Sequence, residues 1–162
     1  MVLRQLWAPW RLEYIQSADQ QEECVFCHAP GLDDETGLVV HRGERAFVLL
    51  NRYPYASGHL MVAPYRHEGD YGGLHAEEAL EIHELSAAAV RVLGEAMAPQ
   101  GFNLGWNLGR VAGAGIVDHV HQHVVPRWAG DTNFMPVLAD VKVLPEALSD
   151  ARQKLAEAWL AG

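Results

Sequence analysis

Residues 119–125 read H-V-H-Q-H-V-V, with His119, His121 and His123 in strict alternation. Alternation is the period of a β-strand. An extended segment therefore sends the three histidines to one face and Val120 and Val124 to the other, where a core takes them. Packing has no use for three imidazoles on one face of a strand. Such a face serves as a metal site or as a nucleophile with supporting donors, because imidazole titrates near neutral pH and suits both tasks. Histidines on a merely solvated face fit poorly with their flanks, G-R-V-A-G-A-G at 109–115 and P-R-W at 126–128.

Working outward, residues 102–108 form a strand that the glycine loop joins to the histidine strand. Upstream, the apolar and β-branched runs 38–40 and 46–50, split by R-G-E-R at 42–45, give a hairpin signal. Residues 51–58 are a second turn, and 59–63 a third strand ended by Pro64. Between 76 and 97 the pattern changes: Leu80, Ile82, Leu85, Ala89, Val90, Leu93 and Met97 recur near the helical period. Pro99 and Gly101 stop this helix. Pro145 opens a last helix carrying Leu148, Leu155 and Trp159. The polar stretch 22–37, with Pro30 and Gly31, reads as loop. The result is an α+β fold: an antiparallel sheet of about five strands, one long helix and a C-terminal helix.

A chain of 162 residues can bury roughly 70% of its unfolded surface. We expect one domain over 1–162, with an apolar N-terminal arm at 1–21, a core at 22–128 and a C-terminal extension at 129–162. Its net charge of −9, from 21 acidic and 12 basic residues, argues against a nucleic-acid partner, which requires a basic footprint. A small phosphorylated ligand stays open. The opening residues do not read as a signal peptide and no apolar run reaches membrane length, so the expected address is the cytoplasm, with no membrane partner. In that reducing compartment C-V-F-C at 24–27 is half a metal site or a redox pair, not a structural disulfide.

The chemistry of the central motif narrows further. Gly109, Gly113 and Gly115, spaced by Ala112 and Ala114, let backbone N–H groups approach an anion. A histidine can attack phosphorus to form a covalent imidazole adduct, splitting one displacement into two. The remaining acceleration comes from positioning and charge stabilisation. One imidazole attacks, a second donates to a non-bridging oxygen, and loop amides hold the phosphate.

H-V-H-Q-H-V-V resembles the motif of the histidine triad (HIT) family. Asn51, S-G-H-L at 57–60, A-P-Y-R-H at 63–67, Asn107 and the glycine loop follow in the order that family shows. The resemblance covers about residues 22–128. L-W-A-P-W-R-L-E-Y-I at 6–15, C-V-F-C, and P-R-W-A-G-D-T-N-F at 126–134 are similar to the bacterial dinucleoside polyphosphate (Ap4A) phosphorylase and hydrolase-like branch.

The resemblance implies an enzyme that transfers a nucleotidyl group from dinucleoside polyphosphates. His121 would be the nucleophile at the α-phosphate, His123 a hydrogen-bond donor to it, and His59 the residue orienting His123. Asn51 would sit by the ribose, with Phe47 and Leu49 bordering the base. Gly113, Ala114 and Gly115 would cradle the phosphates, and Asn107 would reach toward the polyphosphate. Arg127 is the cation placed to meet phosphate, unless it pairs with Asp131.

The resemblance also implies a homodimer, which the apolar N-terminal arm and the C-terminal helix could extend to a tetramer; a magnesium ion accompanying the substrate stays open, as one that would screen the phosphate chain. Relatives with an early C-x-x-C hold a structural zinc, here through Cys24, Cys27, His67 and His119; two free thiols with His119 bracing the strand is the alternative. One departure matters. The hydrolase branch carries a polar side chain in the loop, A-G-Q, where this chain reads A-G-A-G. Gly115 leaves room for phosphate, in place of water, as acceptor. A nucleoside phosphoramidase and a nucleotide-binding adaptor are the competing functions.

Overall fold

The computed structural model describes residues 23–131 and 146–162. The N-terminal arm and Pro145 lie outside the described residues. Five strands form one sheet: β1 (Val39–Arg42), β2 (Ala46–Leu50), β3 (Leu60–Pro64), β4 (Gly101–Trp106) and β5 (Gln122–Arg127). Their order is β1-β2-β3-β5-β4, and every neighbouring pair is antiparallel. Among the described residues three α-helices accompany the sheet: α1 (Val25–His28), α2 (Ala76–Met97) and α3 (Leu148–Ala161).

The run A-F-V-L-L of β2 is buried at every position because both faces of the sheet are covered. Ala46, Val48 and Leu50 pack with Leu60, Val62 and Val124 against α2 and α3; Phe47 and Leu49 pack with Met61 and Ala63 toward Phe26 of α1. The bounds of α2 match its sequence period. Ala98 closes it in the left-handed conformation, followed at once by Pro99. Its buried face is Ile82, Leu85, Ser86, Ala89, Val92 and Leu93, whereas Leu80 is 58% exposed. At its N-terminus the Glu78 carboxylate accepts from the His75 N–H at 2.8 Å, completing a capping box.

Two expectations need correction. The stretch 22–37 is not all loop: α1 is one turn, followed by a 3-10 turn at Ala29–Gly31. The histidine strand also starts later than alternation suggests. β5 begins at Gln122, so His119 and His121 lie in the segment entering it. There the Val120 N–H donates to the Glu68 carbonyl at 2.7 Å, and the His119 carbonyl is occupied by the His121 ring. These groups are withdrawn from the sheet ladder. Within β5 the alternation holds: Gln122 meets Ser86 of α2, Val124 joins the helix-side core, and His123 pairs in register with Met61.

Gly58 fixes the turn before β3. Its φ is +73°, and a Cβ there would lie 2.6 Å from the Met97 sulfur. Only glycine brings this turn so close to α2 while delivering His59 to the start of β3. Among the described residues, no helix is long and apolar enough to cross a membrane.

Candidate active site

On the α1 side of the sheet lies a cleft of about 230 Å³, with His121, His123, Asn51, Leu49, Gly113 and Gly115 among its lining. His121 is 6% exposed, and its Nδ1 lies 2.9 Å from the His119 carbonyl oxygen. A carbonyl only accepts, so Nδ1 carries the hydrogen and Nε2 keeps its lone pair. Burial pushes the His121 pKa down to about 4, with the His119 hydrogen bond opposing it. The ring is neutral at physiological pH and open for attack at one nitrogen.

A second chain of bonds sets His123. The Tyr55 N–H donates to His59 Nδ1 at 3.0 Å, so the proton of His59 sits on Nε2. His59 Nε2–H then donates to His123 Nδ1 at 2.9 Å. His123 therefore carries its own hydrogen on Nε2, as a donor. The side-chain amide of Asn107 lies 3.3 Å from that nitrogen and 3.4 Å from the Tyr55 hydroxyl. The group at these distances is Nδ2, which donates to the Tyr55 hydroxyl; an N–H facing the His123 Nε2–H makes no bond, so accepting from His123 requires the amide to flip. His121 offers a lone pair and His123 offers an N–H, with ring centroids 4.8 Å apart. That pairing suits attack on phosphorus with stabilisation of a phosphoryl oxygen.

The other expected residues divide. Asn51 is buried; its Oδ1 accepts from the Tyr53 N–H, and its amide nitrogen faces His59 Nδ1 at 3.4 Å. Phe47 is fully buried against Tyr65 and is not among the cleft-lining residues, whereas Leu49 lines the cleft together with Leu32, Leu38, Met61 and Ile116. In the glycine loop the Gly113 N–H donates to the Arg110 carbonyl and the Ala114 N–H to that of Gly109. Among the described residues the Gly115 N–H makes no bond, so it is the amide of the three left to face a phosphate. Arg127 grips Asp131 through Nε and Nη2 and Asn103 through Nη1 at 2.7 Å. It takes the ion pair with Asp131 and is not among the cleft-lining residues; among the described residues the cleft-lining guanidinium is that of Arg52. Phe26 and Tyr55 were not anticipated. Nothing in the spacing marks Tyr55, while Phe26 was signposted only by its place between two cysteines.

A four-residue cluster stands directly behind the histidines. Ligand atoms of Cys24, Cys27, His67 and His119 all lie within 4.8 Å of one another. His119 Nδ1 is 3.4 Å from Cys24 Sγ, and His67 Nδ1 is 3.2 Å from Cys27 Sγ. Sulfur and nitrogen ligands of a tetrahedral zinc are about 3.5 Å apart. His119 Nε2 donates to the Pro64 carbonyl at 2.9 Å, which leaves Nδ1 as a lone pair aimed at the sulfurs, as metal-bound histidines require. Burial lowers the His119 pKa below the ordinary histidine value. Burial and the neighbouring Cys24 raise the Cys27 thiol pKa, the expected result of crowding two sulfurs without a cation. The donor set fits a closed metal site.

Residues 34–130 match the HIT domain profile. The chain belongs to the HIT family. Among HIT relatives, one named AP-4-A phosphorylase from Mycobacterium tuberculosis is 41% identical over 165 residues, covering 97% of this chain and 85% of that protein. The adenosine 5'-monophosphoramidase hnt1 of Schizosaccharomyces pombe is 32% identical over 106 residues, covering 64% of this chain and 74% of that protein. Among solved structures, a zinc-bound histidine triad protein from Mycobacterium smegmatis superposes with a TM-score of 0.66 at 24% identity, covering 86% of this chain and 94% of its own. That superposition speaks for the HIT fold.

Proposed function

We propose that this HIT protein cleaves dinucleoside polyphosphates at the α-phosphate through a nucleotidyl intermediate on His121. The observation that carries the reading is the hydrogen-bond pattern that leaves His121 Nε2 as a lone pair in the cleft beside a donating His123. The 41% identity to a protein named AP-4-A phosphorylase supports the substrate class.

In the first step Nε2 attacks the α-phosphorus. The bond to the bridging oxygen breaks, and on diadenosine tetraphosphate the leaving group is ATP. The His121 Nδ1–H stays on the His119 carbonyl, and His123 Nε2–H donates to a non-bridging oxygen. In the second step an acceptor oxygen attacks the same phosphorus, the P–N bond breaks, and the lone pair returns to Nε2. Inorganic phosphate as acceptor gives ADP, and water gives AMP. Gly115 brings no side chain to the loop, and among the described residues its N–H makes no bond, which favours an anionic acceptor at that spot.

The supporting features follow. Cys24, Cys27, His67 and His119 hold a structural zinc, the ion suited to a closed Cys2His2 set. Among the described residues lining the cleft none is Asp or Glu, so any magnesium rides on the substrate's phosphates. β4 is an edge strand with Leu104 45% exposed, a surface suited to pairing in a homodimer. Two cysteines joined by no disulfide suit the cytoplasm.

Product analysis on diadenosine tetraphosphate, with and without phosphate, tests this, with His121→Ala as control. ADP plus ATP only in the presence of phosphate is the expected result. AMP plus ATP irrespective of phosphate makes the enzyme a hydrolase. Cleavage of adenosine phosphoramidate alone assigns it to P–N substrates, the chemistry named in the Schizosaccharomyces relative.

A further inference from the structure

We propose that Phe26 is a positioning residue for His121, and that the Cys24–Cys27–His67–His119 cluster sets the nucleophile through Phe26 and through the His119 carbonyl. The role of His121 rests on the function proposed above; the coupling rests on geometry alone.

Consider first the face of the His121 ring. Phe26 is 1% exposed, and its ring lies 4.4 Å from the His121 ring, tilted by 32°. The same ring lies 5.2 Å from His119. Phe26 sits in α1, a helix of four residues. One turn cannot hold itself in water, because nucleating a helix costs more than a single turn returns. Its place is set by tertiary anchors: the packing of Phe26 itself against Phe47, Leu49 and Met61, and, on either side of it in the chain, Cys24 against His119 and Cys27 against His67.

Next consider the ring edge. The His121 Nδ1–H is held by the carbonyl of His119, whose own Nδ1 faces the sulfurs and whose Nε2 is tied to Pro64. A cation bound by the four donors locks the His119 ring, and with it the carbonyl that selects the His121 tautomer. The nucleophile is thus gripped on its face by a residue between two of the ligands and on its edge by a third ligand. Without the cation the four donors lose their common partner, and both grips loosen. His59 and Asn51 lie outside this chain of contacts, bonded to His123 and to the 51–58 turn.

The test compares Phe26→Ala and the milder Phe26→Leu with wild type, loaded with zinc and stripped by a chelator. Three quantities are measured: bound zinc, the tautomer of His121 by imidazole ¹⁵N spectra without substrate, and the split between kcat and KM on diadenosine tetraphosphate. Loaded wild type should show one His121 tautomer with the proton on Nδ1. Stripped wild type and zinc-loaded Phe26→Ala should both show exchange between tautomers. Phe26→Ala should retain about one zinc per chain and lose kcat by about 10–100-fold, the scale of a misplaced reacting group. Phe26→Leu should recover most of that loss. An unchanged His121 spectrum after stripping, or in Phe26→Ala, overturns the proposal. So does a change confined to KM, which would make Phe26 a cleft wall, or loss of zinc from Phe26→Ala, which would make it part of the cluster's fold. If wild type leaves the tetraphosphate uncleaved, the functional reading fails, and the substrate-free spectra alone decide the coupling.

Discussion

His123→Ala removes the imidazole N–H that the Tyr55–His59 chain places on Nε2, on the side of the ring away from His59. A donor that meets charge developing on a phosphoryl oxygen acts mainly in the transition state. Its loss should therefore lower kcat by about 10²–10³-fold, with little change in KM. His59→Phe keeps a ring in place but frees His123 to choose its tautomer. A smaller fall in kcat is expected, and a rise in KM with kcat unchanged would show that His59 serves binding instead. The His121 pKa gives a second prediction at this scale. Burial holds it near 4, below the ordinary histidine value, so the neutral form that attacks is present throughout pH 5–8. Because kcat/KM reports the free enzyme, no acid limb from this group should appear between pH 6 and 7. A limb near 6.5 would mean that His121 is hydrated in solution. Both predictions depend on which ring nitrogen bears the hydrogen. The motif at 119–125 identifies the histidines, but that assignment needs the carbonyl of His119 and the backbone of Tyr55 in space.

Arg66 and Glu78 tie β3 to α2, and through the 63–67 segment they reach the cluster residue His67. Arg66 binds the Glu78 carboxylate at 2.8 and 3.0 Å, and Glu78 caps the His75 N–H. The Arg66 hydrogen bonds hold the Glu78 pKa down to about 2. A carboxylate with a lowered pKa adds stability above its unfolded value of about 4.3, and that stability is lost as pH falls toward 2. Glu78→Gln should therefore cost roughly 2 kcal/mol at pH 7, read as a drop in Tm, with the gap to wild type narrowing below about pH 4. A gap independent of pH would show that shape, not charge, is what the glutamine fails to supply. Elements of this kind were partly legible. α2 announced itself through a long 3.6-residue period, and β2 through an unbroken apolar run. The strand at 119–121 misled because alternation is a property of side chains. The backbone there is spent on Glu68 and on the His121 ring, which no local pattern reveals. α1 was invisible for a related reason: four residues carry no period, and its anchors lie at His67 and His119, far along the chain.

For the whole molecule, the cluster joins three segments that the sheet alone does not bind: the start of the described chain at 24–27, the connection after β3 at His67, and the entry to β5 at His119. A metal that binds the folded but not the unfolded chain stabilises by mass action, about 4 kcal/mol when its free concentration is a thousandfold above Kd. For a chain of this size that corresponds to a Tm lower by about 10 °C once the metal is removed. The core against α2 and α3 does not involve the cluster, so the stripped protein should still unfold cooperatively, with its far-ultraviolet dichroism intact. Differential scanning calorimetry before and after chelation, followed by zinc add-back, measures this. An unchanged Tm would mean that Cys24 and Cys27 are held by packing around Phe26 and that His119 braces the β5 entry through Pro64 alone. Complete unfolding on chelation would mean that the α1 side of the sheet, where Phe47, Leu49 and Met61 pack, cannot close without the ion. The intermediate outcome is expected because the two faces of the sheet have separate anchors: helices on one side, and a metal-pinned turn on the other.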